Sequence, residues 1–228
     1  MDAASIEKLS TTVLVSFCRR SPCLRCQSLS EPCQEWCHRC WWLYDDGGLT
    51  LLVPYLLAQP KSYLENAKLR VFTLSHKGRK LEQEQKSMAT LLSKFRINYA
   101  QLNVIPDSSN RPTPESQAKF DVLVEPFLHH PPETNNNNSN MEEQVPEGMI
   151  TPAELKAHEE KTNRALRLSE MLRKHSSTAD LIVVTLPVPR RGVVSSALYM
   201  TWLEVISRDL PPTLMIRGNQ QSVLTFYS

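Results

Sequence analysis

The chain has 228 residues, 41% hydrophobic and 22% charged, and Lys+Arg 26 against Asp+Glu 24 leaves a formal charge of +2. Leu, Ile, Val and Phe make up about a quarter of it, too much for wholesale disorder, and no basic run is present to engage nucleic acid. The longest apolar stretch, 49–58, is far shorter than the ~20 residues that span a bilayer, and 1–17 lacks a secretory cleavage pattern, so the chain reads as cytosolic.

All six cysteines fall early, at Cys18, Cys23, Cys26, Cys33, Cys37 and Cys40. Two C-x-x-C pairs, Cys23 with Cys26 and Cys37 with Cys40, are candidate zinc ligands, because four thiolates satisfy a tetrahedral ion. The separation between the pairs is short for that role, and Pro22 and Pro32 interrupt the set. Residues 1–40 therefore read as a cysteine-rich leader, disordered or mis-joined to the rest of the chain. A disulfide cluster does not suit a cytosolic chain.

From Trp41 the pattern becomes regular. Residues 41–44 form the end of a strand, and Asp45-Asp46-Gly47-Gly48 a turn and helix start, with the two aspartates read as caps rather than metal ligands. Leu49, Leu52, Val53, Leu56 and Leu57 recur at helical spacing and mark a stripe expected to face the core. Residues 68–74 read as a strand, and Leu81, Met88, Leu91, Leu92 and Phe95 as a second helix stripe. A strand over 99–105 is closed by Pro106, and a helix opening near Pro114 ends around Pro126.

The Asn- and Pro-rich stretch 129–150 reads as a disordered insert. Thr151-Pro152-Ala153-Glu154 opens a charged helix to about His175. The run DLIVVTL at 180–186 is nearly continuous in apolar and β-branched residues, the signature of a central strand of a parallel sheet. Tyr199, Trp202, Leu203, Ile206 and Leu210 form another helix stripe, capped by Ser195 or Ser196. Residues 213–217 and 222–227 read as two strands around a hairpin-like turn, with an antiparallel strand at the C-terminal edge. This alternation predicts an α/β fold in three layers, a mostly parallel sheet with helices on both faces and right-handed crossovers, in the manner of universal stress proteins.

Chemistry is sparse on this scaffold. Arg190, Arg191 and Gly192 leading to Ser195 and Ser196 form a candidate anion or nucleotide site at a helix start, without a glycine-rich phosphate fingerprint. His76, His158 and His175 stand alone in polar surroundings, and no nucleophile–base motif is present, so an enzyme is not favoured and no cofactor is expected. Trp41, Trp42 and Trp202 read as core residues before they read as a partner surface.

Five segments carry a resemblance: WWLYDDGGLTLLVPYLL at 41–57, LLSKFRI at 91–97, LIVVTLP at 181–187, LYMTWLE at 198–204 and IRGNQQSVLTFYS at 216–228. Together they resemble the end of the cytoplasmic C-terminal domain of electroneutral cation-chloride cotransporters, solute carrier family 12. The double Asp-Gly-Gly and the VLTFYS ending are similar to the sodium-potassium-chloride branch. The resemblance covers 41–228 apart from the insert; residues 75–80 diverge. It implies a regulatory domain that pairs with a second copy of itself and with a membrane transport domain, on the cytoplasmic face. The ion-binding membrane helices have no counterpart here, so it also implies a fragment without transport activity.

Overall fold

The structure, a computed structural model, describes residues 12–16, 37–44, 46–62, 64–75, 80–106, 111–129, 148–190, 192–219 and 221–224. Two compact units emerge, one of residues 1–109, 176–187 and 209–228, the other of 110–175 and 188–208.

The first unit is an α/β sheet. Six strands, β1 (Thr12–Ser16), β2 (Cys37–Trp41), β3 (Lys68–Ser75), β4 (Gln101–Pro106), β5 (Leu181–Thr185) and β6 (Thr213–Arg217), lie in the order β1-β6-β5-β2-β3-β4. The pairings from β6 to β4 are all parallel, and only β1 runs antiparallel, on β6. An antiparallel edge strand is therefore present, but it comes from the leader rather than from the C-terminal hairpin. Residues 222–224 form no strand, and 225–228 lie outside the described residues.

The boundary expected between Cys40 and Trp41 falls inside β2, which occupies the middle of the sheet. That strand escaped the sequence reading because its segment, CHRCW, is polar where a doubly covered strand is normally apolar. Long-range partners meet several of its polar groups. The Arg39 guanidinium donates to Thr178 Oγ1 at 2.8 Å, the Cys37 amide donates to Asp180 Oδ2 at 2.8 Å, and Trp41 Nε1 donates to Ser176 Oγ at 2.9 Å. Trp41 also stacks on Phe72, centroids 4.8 Å apart, so both are core residues as expected.

Helices α1 (Leu49–Leu57) and α2 (Leu81–Lys94) share one face of the sheet, where Cys40, Leu51, Leu69, Val71, Met88, Leu92, Ile97, Leu102 and Leu224 form a core. In α1 the buried residues are Thr50, Leu51 and Pro54, opposite the stripe expected to face inward. The helix is apolar all round, so periodicity does not choose its face. Pro54 has no amide hydrogen and leaves the Thr50 carbonyl without its helical donor. The Cys40 thiol donates to that carbonyl at 3.2 Å. An orphan acceptor made by a proline is thus satisfied from the neighbouring strand.

The second unit is helical: α3 (Pro114–Val124) with a 3-10 turn (Glu125–Phe127), α4 (Pro152–Ala157), α5 (Glu159–Ser176, its last residue in the first unit) and α6 (Ser196–Ser207). Thr151 caps α4 through the Glu154 amide, but the helix expected to run on to His175 breaks at His158. Trp202 Nε1 donates to Thr162 Oγ1 at 3.0 Å, and Ser169 Oγ to the Val205 carbonyl at 2.7 Å, tying α5 to α6. The ends of the expected insert are held: His129 N donates to Ile150 O at 2.9 Å, and Ile150 is fully buried. Residues 130–147, the rest of that insert, lie outside the described residues.

His38 sits on β2, fully buried on the α1 side. Burial pushes its pKa below the ordinary 6.5, against the pull of the Pro54 carbonyl and the Asp180 charge. Below pH 6.5 the unfolded chain takes a proton that the folded chain refuses, so stability falls with pH until the folded pKa is passed. The urea midpoint of the native chain is expected to drop more between pH 7.5 and 5.5 than that of a His38→Leu variant; equal drops would contradict this.

Candidate functional site

In an open parallel sheet, ligands settle at the carboxyl ends of strands where the winding reverses. Here the chain winds outward from β2 through β3 to β4 and returns to β5 on the other side of β2, so the reversal lies between β2 and β5. Thr185 fastens those two strands together. Its hydroxyl donates to the Trp41 carbonyl at 3.3 Å and accepts from the Leu43 amide at 3.2 Å.

The loop after β2 turns inward. Asp46 is 1% exposed, and its Oδ2 accepts from the Thr50 amide at 3.2 Å and the Thr50 hydroxyl at 2.6 Å. A carboxylate at a helix start meets the positive end of the helix dipole, so Asp46 has the capping role expected of it; Asp45 lies outside the described residues. Gly47 follows with φ 77°, in left-handed backbone, and a β-carbon there would overlap the Gln221 carbonyl oxygen. The Val223 amide donates to the Gly47 carbonyl at 2.9 Å. A β-carbon at Gly218, just past β6, would overlap the Asp46 carbonyl oxygen. Leu224 then enters the core. The turn after β2 and the segment after β6 interlock, and the space beside β2 is filled by the chain itself.

Of the four zinc candidates, the structure describes Cys37 and Cys40, and it does not bring these two together. Cys37 and Cys40 are three residues apart on a strand, so their side chains point to opposite faces. Cys40 is buried and engaged with Thr50, and burial, then the Asp46 charge, push its thiol pKa well above the ordinary range. A thiol in that state is a poor metal ligand. Cys23 and Cys26 lie outside the described residues. Among the described residues, no three of His, Cys, Asp and Glu gather as a metal set.

The anion candidates lie in the second unit. Ser195 caps α6, its hydroxyl accepting from the Leu198 amide at 3.3 Å. Its own amide donates to Glu154 Oε1 at 2.6 Å, and His158 Nε2 lies 2.8 Å from the Val193 carbonyl. The loop is thus pinned by α4 and its cap residue, and an arriving anion meets a carboxylate already in place. Arg190, Gly192 and Ser196 are exposed, and Arg191 lies outside the described residues. Thr50, Thr185, Glu154 and Gly218 organise these loops; the sequence marked Glu154 only as a first-turn acid and Gly218 only as a turn residue, and it marked neither threonine. The partners of Thr185, Glu154 and Gly218 are distant in the chain.

A sequence profile of solute carrier family 12 matches residues 35–228, opening ahead of Trp41. The chain is 50% identical over 189 residues to mouse solute carrier family 12 member 2, covering 82% of this chain and 15% of that protein. It is 47% identical over 188 residues to the bumetanide-sensitive sodium-(potassium)-chloride cotransporter of Manduca sexta, covering 82% and 16%. With rat solute carrier family 12 member 1 the identity is 45%, over 82% and 17%. The chain therefore spans about a sixth of the length of these curated relatives.

The interlock predicts a contrast between two glycines of similar backbone. Gly192→Ala, at φ 74° with nothing near the added carbon, is expected to cost about 1–2 kcal/mol. Gly47→Ala adds a collision with backbone and is expected to cost at least about 1 kcal/mol more. Urea unfolding of the two variants measures the difference, and equal losses would contradict the interlock.

Proposed function

The chain belongs to solute carrier family 12, and from that premise we propose that it is the C-terminal regulatory and dimerisation part of a sodium-potassium-chloride cotransporter, without transport activity of its own. Two findings support this reading. The match takes in the sheet from β2 to β6 and every described helix, and among the described residues no helix is long and apolar enough to cross a membrane. The chain's share of its relatives' length leaves the remainder of such a protein to carry ions. In this reading the domain lies on the cytoplasmic face, holds two protomers together and relays signals to the transport helices.

The observation that carries the pairing role is α1. It has nine residues and no charge, yet only Thr50, Leu51 and Pro54 are buried, and Leu56 is 51% exposed. Helices that are apolar all round are normally enclosed. An uncharged face offers nothing to a charged partner and suits the same face of a second copy, as twofold symmetry allows.

Cells expressing full-length solute carrier family 12 member 2, with and without this chain, provide the test. The chain is expected to co-purify with the full-length protein and to lower its sodium- and potassium-dependent chloride uptake. Leu56→Glu should weaken both effects. A folded chain that neither associates nor alters uptake would contradict the proposal.

A further inference from the structure

The parallel part of the sheet has two edges, β4 and β6. An open edge presents a row of unpaired amides and carbonyls, and proteins guard such rows with proline, charge or polar side chains. The β4 edge is guarded: it begins at exposed Gln101, whose side chain donates to Asn103 Oδ1 at 3.0 Å, and ends at exposed Pro106. The β6 edge, Thr213-Leu214-Met215-Ile216-Arg217, has no proline and a single charge at its end. It is this unguarded edge that carries a strand. β1 pairs with it antiparallel over five residues, from Thr12 opposite Arg217 to Ser16 opposite Thr213.

The connection does not compel that pairing. Ser16 stands level with Thr213, which is level with Ile182, which is level with Arg39, so β1 ends three strand spacings from the middle of β2. Three spacings are about 14 Å. Residues 17–36 lie between them and, extended, reach up to roughly 66 Å. β1 also lies outside the region matched to the family, which opens at residue 35.

We propose that the β6 edge is a strand-acceptor site, specific for an extended, uncharged segment with β-branched residues at alternate positions bound antiparallel to β6, and that β1, sequence TVLVS, is its tethered occupant. Backbone bonds along the edge supply the affinity. Tethering gives β1 an effective concentration in the millimolar range, so a segment of another protein must exceed that to displace it. The site is distinct from the α1 face and does not depend on the pairing of protomers.

The full chain carrying Leu14→Pro and Val15→Pro tests this. Amides of adjacent residues point to opposite sides of a strand, so one of the two prolines removes a bond to β6 whichever way β1 faces. The probe is a labelled peptide of residues 11–17. In the variant, amides of 213–217 are expected to exchange at least tenfold faster than in the native chain, and the peptide to bind saturably and restore their protection. The native chain should bind the peptide at least tenfold more weakly. A variant that keeps β2 and β5 protected yet shows unchanged exchange at 213–217, no saturable binding, or self-association through β6 would overturn the assignment. If the prolines prevent folding, millimolar peptide is added to the native chain. Faster exchange at 12–16 with 213–217 still protected supports the site, and no change overturns it.

Discussion

The structure of the first unit turns on a contact with no space for a β-carbon. Just past β2, the backbone of Asp46 and Gly47 meets the backbone of Gly218 and Gln221, just past β6. Because the partners are main chain, neither side can yield by changing a rotamer. The contact fixes where α1 begins, and Asp46 secures the first turn through Thr50. It also delivers Leu224 to the core. One turn further along α1, Pro54 frees the Thr50 carbonyl, and the Cys40 thiol takes it up. Residues 46–48 and 218–224 apart from 220, far apart in sequence, are two halves of one joint.

That joint bears on function. Parallel sheets commonly bind small molecules at the reversal point, where loops leave a crevice. Here the loop after β2 is occupied by the chain's own C-terminal segment, and in the second unit the start of α6 is met by Glu154. Among the described residues, both loops are thus occupied by the chain itself. Among the described residues, α1 carries no charge and β6 a single one, at its end.

Much of this was legible in the sequence wherever the cause is local. The run at 180–186 announced a central strand, Thr213–Arg217 appeared with its observed bounds, and Thr151-Pro152 marked a helix start through cap chemistry that needs no distant partner. What failed was decided at long range. β2 is polar in sequence because His38 and Arg39 are buried there, and Arg39 is satisfied by Thr178 and Cys37 by Asp180, which no window around Cys37 contains. The C-x-x-C spacing suggested zinc, but on a strand that spacing sends the thiols to opposite faces. The stripe on α1 was assigned inward because an all-apolar helix gives periodicity no contrast to report. The antiparallel strand lies beside β6 as expected, but it is supplied by β1 rather than by 222–227, because a hairpin-like turn is a local sign while the pairing of β1 with β6 joins distant parts of the chain.

Membership of solute carrier family 12 is the premise of the proposal that two copies of this domain pair. Sedimentation equilibrium of the purified chain addresses that claim most directly. The account predicts a concentration-dependent equilibrium with a species of twice the chain mass, shifted toward the single chain by Leu56→Glu. A folded chain that sediments as a single copy at every accessible concentration would contradict it.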